Sequence, residues 1–152
     1  MWTDSLTVLT LLATGVAAGI MSEVVLAGIP VFASMSPERY VWTHQRLDRR
    51  YEPTMPLLVL GSLVTSAVLA GIGDSAAQRW LHGLAAAGLL GTALVSQLVA
   101  VPLLRRQVRD VDSAALPAAW RDPRPRWKRW HQLRTALALF ALAATALAAV
   151  QR

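Results

Sequence analysis

The stretch GVAAGIMSEVVLAGIPVF, residues 15–32, is apolar at nearly every position, yet Glu23 stands in its middle. With the apolar residues before it, it forms a run from Leu6 to Met35, longer than the roughly 20 residues a helix needs to cross a bilayer. Three further segments read the same way, and together they predict spans over 6–35, 41–72, 80–104 and 128–150. No segment alternates with period two, and long Ala/Leu runs favour helix over strand. The expected fold is therefore all-α, one domain over 1–152, an integral membrane four-helix bundle.

Composition agrees. Hydrophobic residues make up 55% of the 152-residue chain and charged residues only 16%, and the mean hydropathy is +0.42. A water-soluble domain of this size has too little interior to hide that much apolar surface. The net charge of +6 invites a nucleic-acid reading. The cations, however, sit in two segments between apolar blocks, so no nucleic-acid partner is expected and the lipid bilayer is the first partner. The absence of cysteine removes disulfides, thiolate metal sites and cysteine nucleophiles. No Lys or Arg precedes the first apolar run, and that run is too long for a signal peptide core, so the first helix is expected to be retained.

Orientation follows from the cations. The segment from Ser34 to Thr54 carries Arg39, Arg46, Arg49 and Arg50; the segment from Arg105 to Gln132 carries Arg105, Arg106, Arg109, Arg121, Arg124, Arg126, Lys128 and Arg129; only Arg79 and Arg152 lie at the other end. The positive-inside bias then puts both basic loops in the cytoplasm and both termini outside. Trp42, Trp80, Trp127 and Trp130 fit interfacial anchors. Ser36, Pro37 and Glu38 form a helix start, with Ser as N-cap and Pro at the first helical position, so helix two is expected to begin below the apolar core. Pro53 and Pro56 are expected to kink or briefly break it, and Pro30 to do the same to helix one. Gly15 and Gly19, four apart, and the many alanines of helix four suggest close packing, inside the bundle or between subunits of a homo-oligomer.

Glu23 then needs neighbours, because a charge at the bilayer centre costs about 2.5–3.5 kcal/mol. Twelve residues back from the turn near Met35, at 1.5 Å per residue, it lies about 18 Å along helix one. The matching height on helix two is near Asp48. His44, Asp48 and Glu52 repeat at i, i+4, i+8 and share one helix face. His131 and Arg134 start the apolar part of helix four, and helix three offers Gln97. These groups converge on one chamber. His82, beside Trp80, is expected at the surface.

The chain from the end of helix three into helix four, VAVPLLRRQVRDVDSAALPAAWRDPRPRWKRWHQLRTAL, has a distinctive cadence. Val99, Val101 and Pro102, a basic loop, Leu116, Pro117 and Trp120, then Arg126, Trp127, His131 and Arg134 resemble the pattern of the anthrone oxygenase-like family of small four-helix membrane proteins. Members often carry Asn on both sides of that Pro, where this chain has Ala100 and Leu104. The resemblance implies an oxidoreductase of secondary metabolism that oxidises a lipophilic aromatic or polyketide-type substrate. That chemistry removes an acidic C–H proton, stabilises an enolate and reacts with O₂. His131 is then the base, with Glu23 and His44 as partners; Arg134 stabilises the anion; Gln97, Trp127 and Trp130 contact the substrate. Glu23, His44, Glu52 and His131 are also a mixed His/carboxylate set of the kind that holds non-haem iron or copper, so a metal site and a reaction needing nothing beyond O₂ both stand. Two rivals come from other classes: a small proton-coupled transporter using Glu23, and a non-catalytic membrane partner subunit that docks through its basic loops.

Overall fold

A computed structural model describes residues 2–151. Four helices account for nearly all of it: α1 Trp2–Ser34, α2 Pro37–Ile72, α3 Ala76–Arg109 and α4 Arg124–Val150. Each is long and apolar enough to cross a membrane, and no strand occurs among the described residues. The helices run up, down, up, down. Each packs on its two neighbours in chain order, and α4 closes the ring against α1. The protein is an all-α membrane bundle.

The connections are built as their residues dictate. Ser36 accepts a hydrogen bond from the Arg39 N–H and Pro37 opens α2. Ser75 and Gln78 form a reciprocal capping box that starts α3, satisfying two of the donors a helix N-terminus leaves orphaned. The last turn of α1 is sealed by a side chain from far along the chain, since Arg124 Nη1 donates to the carbonyls of Phe32 and Met35 at 3.0 and 2.8 Å. A cation at a helix C-terminus also meets the negative end of its dipole.

The close seam runs between α3 and α4. Ala138, Ala141, Ala144 and Ala148 on α4 are buried, together with Ala85 and Leu89 on α3 and Ala17 and Ala18 on α1. A Cβ on Gly88 would stand 3.0 Å from the Leu137 carbonyl oxygen and 3.2 Å from Ala141 Cβ, so glycine is what lets these helices meet. Within the bundle the expected pair makes no such approach. Gly15 makes an ordinary contact with Leu142, and Gly19 faces open space.

Two further expectations change. His82 is 2% exposed, not a surface residue. It lies at i, i+3, i+7 with Ala85 and Leu89, on the face of α3 that fills the core. Neither Pro53 nor Pro56 breaks α2, which is continuously α-helical. Each proline removes one donor, and the turns on both sides keep theirs.

The irregularities fall elsewhere. In α1 the turn Val24–Gly28 is a π-helix, and in α3 so is Ser96–Ala100. Each ends two residues before a proline, Pro30 and Pro102. A proline ring clashes with the carbonyl four residues back and offers it no N–H, and a widened turn relieves both problems. A third π segment, Arg105–Arg109, ends α3, which thus runs five residues past the expected limit at Leu104.

Candidate functional site

These wide turns shape the basic end of the bundle. The part of α1 from Val24 to Ser34 and the Ser96–Ala100 turn of α3 both pack on α4, and Phe32 reaches Tyr40 and His44 of α2 through its ring. The stretch of α2 from His44 to Val59 faces the gap left between these elements. It is held at its start by Gln45, whose amide donates to the carbonyls of Val108 and Val111 at 2.8 and 2.9 Å. The gap is a cavity of about 400 Å³, within the range of small-molecule sites.

All four helices supply its walls: Glu23, Val24 and Phe32 from α1, His44, Asp48, Glu52 and Val59 from α2, Ser96, Gln97, Ala100 and Leu104 from α3, and Trp127, His131 and Arg134 from α4. Ala100 and Leu104, which stand where the family pattern often has Asn, make one wall apolar. Of the eight candidate site residues, Glu23, His44, Glu52, Gln97, Trp127, Trp130, His131 and Arg134, Trp130 is the one lying elsewhere. It flanks an outward groove on α4 with Arg126, Arg129 and Leu133. Positions 127, 131 and 134 follow the inward helical stripe, and 130 follows the next stripe round.

His131 is 2% exposed, and both its ring nitrogens are engaged. Nε2 lies 3.1 Å from the Met21 carbonyl oxygen, whereas Nδ1 lies 3.1 Å from Arg134 Nε and 2.6 Å from Arg134 Nη2. A carbonyl only accepts and a guanidinium only donates. The hydrogen must therefore sit on Nε2, and the ring is neutral. In this arrangement His131 has no free lone pair for a substrate proton or a metal. Its geometry is that of a brace holding the Arg134 fork flat against the wall. Arg134 Nη1 also donates to Ser96 Oγ at 3.3 Å. No carboxylate pairs with Arg134 among the described residues.

The opposite wall is aromatic and acidic. His44 stacks on Phe32 at 5.3 Å between ring centroids and meets Tyr40 and Trp127 edge-on at 5.2 and 5.1 Å. Its Nδ1 is sealed without a partner, and its Nε2 stands 3.6 Å from Asp48 Oδ1. Asp48 is in turn held by Arg109 Nε at 3.0 Å, and the same guanidinium pairs with Glu52. Glu23 is exposed along the open side of the cavity and makes no hydrogen bond or ion pair among the described residues.

The suggested metal set is not assembled. Among the described residues no three His, Asp or Glu side chains are grouped to hold an ion. The reason lies in competing partners: Arg109 draws Glu52 away, Arg134 and Met21 occupy His131, and His44 faces Asp48.

Sequence reasoning missed Arg109, which it assigned to a topological loop. The extra helical turns of α3 carry it back over the cavity. Its four-residue spacing from Arg105 was the available signal. The ring cluster of Phe32, Tyr40 and Trp127 with His44 was missed as well, since it joins three helices.

A family model described as anthrone oxygenase matches residues 45–144, more than half of the chain. The chain belongs to the anthrone oxygenase family. Neither the curated proteins nor the solved structures contain a match. The matched span includes Asp48, Glu52, Gln97, Arg109, Trp127, His131 and Arg134, hence three of the four cavity walls. It leaves out α1 and His44.

Proposed function

We propose that this member of the anthrone oxygenase family oxidises a lipophilic aromatic substrate with an acidic C–H, taken from the bilayer into the cavity at the basic end. The observation that carries the reading is the pairing of unlike walls. A guanidinium with no carboxylate partner, braced by His131 and Ser96, faces a space whose other wall holds a His44–Asp48 couple. A buried cation without a counter-ion is costly, and a ligand oxyanion supplies the missing charge.

His44 replaces His131 as the base. Proton uptake at His44 Nδ1, the ring nitrogen left without a partner, makes an imidazolium whose Nε2–H faces the Asp48 carboxylate, while Arg109 keeps Asp48 in place. The electron pair left on the substrate delocalises onto its oxygen beside Arg134, where a fixed donor is most effective. O₂ then adds to the carbanion carbon, and the His44 proton returns to the distal oxygen to give a hydroperoxide. Loss of the second C–H proton with O–O cleavage gives a ketone and water. The overall change is R₂CH₂ + O₂ → R₂C=O + H₂O, with no electrons required from elsewhere. The basic loops are cytoplasmic in this proposal.

The test is O₂ uptake and ketone formation by the full chain in lipid nanodiscs with a hydroxylated anthrone. Turnover that falls at least 100-fold in His44→Phe, which keeps the ring stack, and in Arg134→Met supports the reading, in line with the usual contribution of one general base. Unchanged turnover in both variants sinks it. Glu23, unpaired on the open wall, supports a second reading as a proton-coupled transporter. In that case vesicle uptake driven by a pH gradient disappears in Glu23→Gln, and no O₂ is consumed.

A further inference from the structure

Trp130 lies outside the cavity, and its surroundings have a chemistry of their own. Arg126, Arg129, Trp130 and Leu133 line an outward groove of about 460 Å³. Their spacing, i, i+3, i+4, i+7, is one stripe of α4, turned away from the stripe that carries Trp127 and His131. Neither Arg126 nor Arg129 makes an ion pair or hydrogen bond among the described residues, although ion pairs hold Arg109 and Arg124 nearby. Two cations at one helix turn with no acid to answer them repel each other unless an anion comes from outside.

The order along the stripe says which anion. From Arg126 to Leu133 is seven residues, about 10 Å of helix. Over that distance the surface passes from two guanidinium groups, through an indole, to Leu133, which is 43% exposed. A phospholipid lying along the helix presents phosphate, glycerol ester and acyl chain in the same sequence. The indole is suited to the ester level, being apolar with one N–H donor. A free phosphate would use only the first turn of the stripe and leave Leu133 uncovered.

We propose that this groove binds an anionic phospholipid, with the phosphate held between Arg126 and Arg129 and an acyl chain along Leu133. The site is separate from the oxygenase cavity and does not depend on that reading. It shares α4 with the cavity, however, since Trp127 and His131 are one residue from Arg126 and Trp130. Lipid bound here steadies the turn from which the cavity wall is built.

The experiment is native mass spectrometry of the detergent-purified full chain with added phosphatidylglycerol, phosphatidylcholine or inorganic phosphate. Arg126→Gln/Arg129→Gln keeps most of the other loop cations, so insertion is preserved, and the thermal midpoint confirms folding. The wild type is expected to hold phosphatidylglycerol in preference to phosphatidylcholine. The double variant is expected to bind it roughly 30-fold more weakly, on the scale reported per juxtamembrane cation. Equal retention of the two lipids, or of phosphatidylglycerol by wild type and variant, overturns the proposal. So does displacement of the lipid by millimolar phosphate, which would make the site a receptor for the free ion.

Discussion

Arg134→Met isolates the one interaction on which the cavity chemistry turns. In the wild type the guanidinium donates to His131 Nδ1 through Nε at 3.1 Å and to Ser96 Oγ through Nη1 at 3.3 Å, and its charge is unmatched. Methionine fills much of the same space with no donor. A hydrogen bond to a charged group contributes about 1.5–3 kcal/mol net, so an oxyanion ligand should bind roughly 10- to 150-fold more weakly. The decisive assay compares two ligands without oxygen present: a lipophilic polycyclic phenol, titrated where it is ionised, and its methyl ether. Arg134→Met should weaken the phenolate by that factor and leave the ether within about twofold, because the apolar walls are untouched. Losing Arg134 also leaves His131 Nδ1 without a donor, at a cost of about 1–3 kcal/mol for a buried polar atom. The thermal midpoint is therefore read on the same samples. If both ligands weaken equally while the protein stays folded, the cavity has been reshaped rather than discharged, and the anion argument fails.

Three other outcomes follow from the same structure. Gly88→Ala forces a methyl toward the Leu137 carbonyl and should cost about 1–3 kcal/mol, whereas Gly19→Ala, in open space, should be neutral or stabilising by up to about 1 kcal/mol; denaturation in mixed micelles measures both. Arg109→Gln releases Asp48 and Glu52 and should lower turnover more than it lowers substrate affinity, since Asp48 then loses its fixed place beside His44; steady-state kinetics separate the two effects. For Asp122, partial burial alone would raise the carboxyl pKa, but hydrogen bonds and charge from Arg124 outweigh it and hold the group below the ordinary aspartate range. A lowered folded pKa means that the stabilisation is present above about pH 4 and is lost as the pH falls through the folded value. The acid-induced fall in thermal midpoint should therefore shrink in Asp122→Asn.

How much could be read in advance differs from helix to helix. Helix α1 was legible because 20 or more apolar residues in a row have one stable form in lipid, and a lone Glu23 does not alter that. The start of α2 was legible because Ser36 and Pro37 act locally, through a cap and a fixed φ. His82 was misjudged because its neighbour Trp80 suggested an interface, whereas which face of α3 is buried depends on where α2 and α4 lie. Gly88 and not Gly19 became the close contact for the same reason: small residues permit approach on any face, and packing selects one.

The candidate site divides along the same line. Which groups gather at the basic end was legible from their heights along the helices, since rise per residue is a property of the backbone alone. Their division of labour was not. His131 looked like a base until its nitrogens were found between Arg134 and the Met21 carbonyl, and Glu52 looked like a ligand until Arg109 came over from the last turn of α3. Sequence determines how far along a helix a side chain sits and how apolar its surroundings are, because both are local. Only the tertiary structure decides which donor meets which acceptor, because a hydrogen bond requires two atoms from distant parts of the chain to lie within about 3 Å of each other.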